Sequence, residues 1–258
     1  MSHHTLHYGL KLPFDVRYGE MPLRNRGRPV RLRFDCLDPG AEAEANLGES
    51  LTVFCELAAT GGLCGAGIEP GASSTRWVDC PPETRATLIA ELQGCDLDDA
   101  ALIVLCDLLL RDHARNHLVQ LQMDNGRPPQ RLLYLPDEAN PYPGLASKLP
   151  FRFHDEEPEG GGLLIRVEFR RNVVDEDLLL IQRVVDTLCK AVLSGAFCLP
   201  PTAPDQNYLE SESLVWFEDT VEWPIGKLRA DPACLSCFVN ALAAQARALP
   251  IKTVTLTQ

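Results

Sequence analysis

The chain has 258 residues, with 24 Lys plus Arg against 36 Asp plus Glu, a net charge of −12, 45% hydrophobic and 23% charged residues. This is globular composition, which excludes wholesale disorder, and the length allows one large domain or two smaller ones. No run approaches the roughly 20 apolar residues that span a bilayer, and the opening MSHHTLHYGLKLPF lacks the apolar stretch of a secretory signal, so the expectation is a cytoplasmic protein with no membrane partner.

Charge is unevenly placed. Residues 1–33 hold seven basic and two acidic side chains, residues 34–110 two basic and fourteen acidic, and residues 111–258 fifteen basic and twenty acidic. The local balances are therefore +5, −12 and −5, the pattern of distinct interaction surfaces rather than a uniform shell. Arg24, Arg26, Arg28, Arg31 and Arg33 form the basic cluster. Guanidinium groups suit phosphate or carboxylate on a partner, and they equally suit the protein's own acidic surface.

In chain order, alternation in PVRLRFDC predicts a strand near 29–36, with Val30, Leu32, Phe34 and Cys36 on one face. LTVFCEL reads as a second strand near 50–58, after the acidic loop DPGAEAEANLGE, and a third strand is expected at Thr75–Asp79. Pro81 and Pro82 would open a helix through ETRATLIAELQG, and Asp96 would cap the next, DLDDAALIVLCDLLLRDHARN, apolar nearly all round and so buried in protein. Strands near 118–123 and 131–135 complete the first half.

PDEANPYPGLASKLP, with Pro136, Pro141, Pro143 and Pro150, reads as a connector. Beyond it FRFH and LLIRVEFRR flank a three-glycine loop as a hairpin would. Asp175 begins a helix ending at Gly195, SLVWFEDTVEWPI suggests a hairpin turning at Glu218–Asp219, a helix starts at Asp231–Pro232, and KTVTLT is the last strand. The expected fold is α+β and two-lobed, with antiparallel or mixed sheets and helices packed on one face. Strand, helix, strand, strand, helix, strand in the second half is the ferredoxin-like order. The implied domains are a basic arm at 1–28, an acidic α+β lobe at 29–136, a proline-rich connector at 137–149 and a second α+β lobe at 150–258.

The chemical motifs are mostly negative. GGLCGAG at 61–67 does not lead into helix-forming sequence as a phosphate loop would, and GxxxxGK[ST], GxSxG and HExxH are absent. Of ten cysteines, Cys36, Cys55, Cys106 and Cys189 fall in phase with apolar neighbours. Cys234 and Cys237 form a CxxC with no second pair, and on a helix they join the packing stripe of Phe238 and Ala241. His113 and His117 are four apart and would share a helix face, but no third metal ligand accompanies them. His154, Asp155, Glu156, Glu157 and Glu159 crowd a glycine-rich tip, where a solvated turn is the simpler reading. No catalytic, cofactor-binding or metal-binding residue is therefore assigned. The leading expectation is a non-enzymatic protein-binding protein, an adaptor, immunity-type inhibitor or assembly subunit, with a partner of basic character. The alternative is a nucleic-acid-contacting subunit that uses Arg24, Arg26, Arg28, Arg31 and Arg33, although the outward side chains of the 163–170 strand include no ring for base stacking.

Overall fold

Alternation in VRLRFDC produces strand β2 (Val30–Cys36), in which Val30, Leu32, Phe34 and Cys36 are buried and Arg31 and Arg33 are exposed. The structure, a computed structural model, describes residues 12–18, 30–37, 42–63, 74–78, 87–93, 99–124, 130–131, 144–156, 163–198 and 206–257. Strand β1 (Asp15–Tyr18) precedes β2, and α1 (Ala43–Ala59), β3 (Ser74–Val78), β4 (Thr87–Gln93), α2 (Asp99–Asn116), β5 (Leu118–Asp124) and β6 (Gln130–Arg131) follow. The second half contains β7 (Arg152–Glu156), β8 (Leu163–Phe169), α3 (Asp175–Leu193), β9 (Tyr208–Ser211), β10 (Val215–Phe217), β11 (Thr220–Arg229), α4 (Ala233–Ala244) and β12 (Ile251–Thr257).

Two expected elements change type. Residues 50–58 are helix within α1. The alternation of Leu51, Val53, Cys55 and Leu57 is real, but Leu47, Leu51, Phe54 and Ala58 also recur at helical spacing and are buried. The Ala/Glu-rich stretch before them, expected as a loop, supplies the first turns. Residues 87–93, expected within a helix, form β4 between β2 and β3, with Leu88 registered on Phe34 and Ala90 on Leu32. The helix-forming Leu, Ala, Glu and Gln of that stretch yield to a central place in the sheet, where ladder bonds and burial outweigh propensity.

The first sheet runs β3-β4-β2-β5-β1-β6. Strands β3, β4, β2 and β5, with α1 and α2, give the ferredoxin-like βαββαβ arrangement, and β1 is added parallel to β5, with β6 beyond it. The second sheet runs β10-β11-β8-β12-β7, with β9 also paired to β11. It repeats the same βαββαβ order and the same addition, since β7 lies parallel to β12. The FRFH strand and LLIRVEFRR therefore do not form a hairpin: β12 lies between them. A repeat of topology is present although no short-period repeat marks the sequence.

The helices of the two lobes pack against each other across one plane, with α1 on α3. Buried residues from both halves, including Leu51, Phe54, Val184 and Phe238, belong to one hydrophobic core. Polar contacts cross this plane: Lys190 Nζ lies 2.7 Å from Glu56 Oε2, Arg111 donates to the Leu193 carbonyl at 3.0 Å, and the Cys198 amide donates to Asp107 Oδ2 at 3.1 Å. Gly61, at φ +85°, ends α1 where an added Cβ would lie 2.3 Å from the Ala244 Cβ of α4. Buried Asn240 on α4 binds the end of the connector, accepting from the Ala146 amide at 2.8 Å and donating to the Gly144 carbonyl at 2.9 Å. Among the described residues, no helix is long and apolar enough to cross a membrane.

Candidate functional site

Of the arginine cluster, Arg24, Arg26 and Arg28 lie outside the described residues, whereas Arg31 and Arg33 stand on the outer face of β2. Each is paired with an acid, Arg31 across the strands and Arg33 along its own strand. Arg31 pairs with Glu91, and Arg31 Nη2 lies 3.0 Å from Glu91 Oε1, a carboxylate only 6% exposed. Arg33 Nε lies 2.9 Å from Asp35 Oδ1. Thr87 Oγ1 donates to the same oxygen at 2.8 Å, and Gln120 Nε2 donates to Asp35 Oδ2 at 3.1 Å. These guanidinium groups serve the sheet's own polar network. A phosphate would have to displace a neighbouring carboxylate from each of them.

The cysteine and histidine candidates separate in the fold. Cys234 and Cys237 are buried on α4. Burial, aided by Asp231, pushes the Cys234 thiol up to about 12, and burial with Asp35 pushes Cys36 up to about 11. Both shifts oppose the thiolate that nucleophilic or metal chemistry requires. Helix α2 ends at Asn116, and His117, at φ +47°, turns the chain into β5, so it does not continue a helix face from His113. The glycine stretch at 61–67 follows helix α1 rather than a strand, and its residues 64–67 lie outside the described set. His154, Asp155 and Glu156 are exposed on β7; Glu157 and Glu159 are outside the described residues. Among the described residues, no group of three His, Cys, Asp or Glu side chains is placed to hold a metal ion.

A different surface is conspicuous. Val215, Trp216 and Phe217 are 54%, 57% and 74% exposed, three large apolar residues in succession. They form β10, at the end of the second sheet's strand order. Its neighbour β11 alternates normally, burying Val221, Trp223 and Ile225. Strand β10 does not alternate, because Val215 and Phe217 project on the outer face and Trp216 on the other, with little covering either. The sequence carried this signal as an apolar triplet beside a two-residue turn.

The main chain completes the geometry. Phe169 donates its N–H to the Asp219 carbonyl at 2.7 Å, so the odd-numbered residues of β11 bond toward β8. Thr220 and Glu222 then bond toward β10, where their register partners are Phe217 and Val215. By the same alternation, the N–H and C=O of Trp216 point away from the sheet. Glu218, at φ +53°, makes the turn, and its carbonyl accepts from the Val173 amide at 2.8 Å. The entrance of α3 is fixed in turn by Asp177, 2% exposed, which accepts from Arg171 at 2.6 and 3.0 Å and from the Val174 amide at 3.1 Å. The open edge is therefore braced from behind. Acids bracket it: Glu212 on one side and Glu218 and Asp219 on the other are exposed, and none makes an ion pair among the described residues.

No family model matches the chain, and no curated protein matches it. Among solved structures, a Cas6 product complex shares 14% identity at a TM-score of 0.20, covering 89% of this chain and 99% of that one. A protease from Helicobacter pylori shares 8% identity at a TM-score of 0.20, covering 96% and 80%. An oxyferrous complex of DtpA from Streptomyces lividans shares 15% at 0.21, covering 89% and 88%. Likenesses at these scores carry no argument about fold or function.

Proposed function

We propose that this chain is a non-enzymatic, cytosolic protein-binding protein, an adaptor, inhibitor or assembly subunit, that engages its partner through the β10 edge. The observation that carries this reading is the exposure of Val215, Trp216 and Phe217 on one open strand. An unprotected apolar edge is an aggregation hazard unless something covers it, and scattered surface leucines carry no such implication. Burying a side chain such as Val or Phe contributes roughly 1.5–3 kcal/mol, so this triplet can anchor a specific contact. The acidic residues around it suit a basic partner, with charge setting association rate and specificity. The nucleic-acid reading has less support, because Arg31 and Arg33 are already paired with Glu91 and Asp35.

The test is affinity capture from native lysate with wild-type protein and with Phe217→Lys, before and after nuclease treatment. A stoichiometric protein that survives nuclease and is lost with the variant is the expected result. Loss of every partner on nuclease treatment would favour the nucleic-acid reading, and identical capture by both proteins would remove β10 from the interface.

A further inference from the structure

Resting on the reading of β10 as a docking edge, we infer that its occupant is an extended segment of a partner protein, in which a short apolar stretch is flanked on both sides by lysine or arginine.

Three features specify this chemistry. First, the outward N–H and C=O of Trp216 offer the main-chain pairing of an added strand, and the hairpin behind is held by Phe169 and Val173. Second, the exposed side chains lie on both faces, Val215 and Phe217 on one and Trp216 on the other, so the added strand needs apolar residues at consecutive positions rather than alternating ones. Third, Glu212 precedes the apolar stretch while Glu218 and Asp219 follow it. The Glu212 amide bonds to Pro224 of β11 and Glu218 lies beyond Thr220, so at least four strand steps, about 13 Å at roughly 3.3 Å per residue, separate the two ends. That span exceeds a Debye length of about 8 Å at physiological salt, so each end acts as its own attractor for positive charge.

The same charges argue against a second copy of this chain. A two-fold antiparallel pairing centred on Trp216 would match Val215 with Phe217 of the other copy, which is favourable for the apolar stretch. It would also bring Glu212 of each copy to the Glu218–Asp219 turn of the other, placing like charges together at both ends of the seam. A basic-flanked segment satisfies both ends at once.

The experiment uses two end-blocked, fluorescently labelled peptides, Lys-Lys-Val-Ile-Val-Thr-Val-Lys-Lys and its counterpart with glutamates in place of the lysines. Binding to the full chain is measured by anisotropy, and the oligomeric state by sedimentation. The lysine peptide is expected to bind at least tenfold more tightly than the glutamate peptide, with affinity falling as salt is raised. Trp216→Pro removes an outward N–H without removing a β10–β11 bond, and should weaken binding at least tenfold while the circular dichroism stays unchanged. Glu212→Lys with Glu218→Lys leaves the apolar residues in place and should reverse the preference between peptides. Equal binding of the two peptides, or no effect of Trp216→Pro, overturns the proposal. A dimer that Trp216→Pro dissociates overturns the occupant while leaving β10 a docking edge. Binding of neither peptide, together with lysate capture unaffected by Phe217→Lys, overturns the docking edge itself.

Discussion

Gly61→Ala tests the helix-to-helix contact that joins the two lobes. Gly61 adopts φ +85°, and a Cβ built there would stand 2.3 Å from the Ala244 Cβ, far inside van der Waals contact. Two separate terms follow. Holding an alanine in the left-handed region costs about 1–2 kcal/mol. Overpacking against α4 costs about 1–3 kcal/mol more, because the layers must part to admit the methyl group. The expected destabilisation is thus about 2–5 kcal/mol, read as a lower urea midpoint at unchanged slope. Pairing the change with Ala244→Gly separates the terms. It relieves the steric part and leaves the backbone part, so the double-mutant cycle should show a coupling of about 1–3 kcal/mol. Gly144→Ala is the control, since nothing lies within 4 Å of its added Cβ. A loss below about 0.5 kcal/mol for Gly61→Ala would refute the reasoning, and an additive double mutant would refute the close approach of α1 to α4.

Asp177→Ala removes the acceptor for Arg171 and the Val174 amide, and should lower stability by about 1–2 kcal/mol in thermal or urea unfolding, with Asp177→Asn intermediate. Asp107→Ala removes the acceptor that the buried Cys198 amide uses across the lobe interface, and about 1–3 kcal/mol should be lost by the same measurement. Alkaline pH should weaken the fold through its buried thiols. Cys36 and Cys234 titrate near 11 and 12 when folded, against 9.0 as the ordinary value. Their stabilisation is fully present below 9.0. Between there and the folded values the unfolded chain releases protons that the folded chain retains, so stability falls by up to about 1.4 kcal/mol per pH unit per thiol. Urea midpoints at pH 8 and pH 10.5 check this, and equal midpoints would contradict it.

Much of the architecture was legible where one periodicity dominated. Val30 to Cys36 alternates cleanly and is a strand; Ile181, Val184, Val185 and Leu188 recur at helical spacing and lie on the buried face of α3. Ambiguity entered where both periods fitted. Leu51, Val53 and Leu57 satisfy a strand over seven residues, and only the longer window from Ala43 makes the helix evident. β4 failed for the opposite reason, because its local preference is helical and its place between β2 and β3 is a tertiary fact. The parallel pairing of β7 with β12 joins segments about 100 residues apart, which no local pattern announces. The candidate surface was legible only in part. The chain spelled out Val215, Trp216 and Phe217, but their exposure depends on which sheet edge stays open. The arginines were conspicuous in sequence, yet cross-strand register gave Arg31 the carboxylate of Glu91, and Arg33 took that of Asp35 two residues along its own strand.

The most direct test of the docking edge is residue-resolved amide hydrogen exchange across β10, with and without the lysine-flanked peptide. In the free protein the Val215 and Phe217 amides, which face β11, should exchange slowly and the Trp216 amide fast. On adding the peptide, Trp216 should become protected while its two neighbours change little. Protection that leaves Trp216 untouched, or a Trp216 amide already slow in the free monomer, would contradict the assignment of β10 as an open strand awaiting a partner.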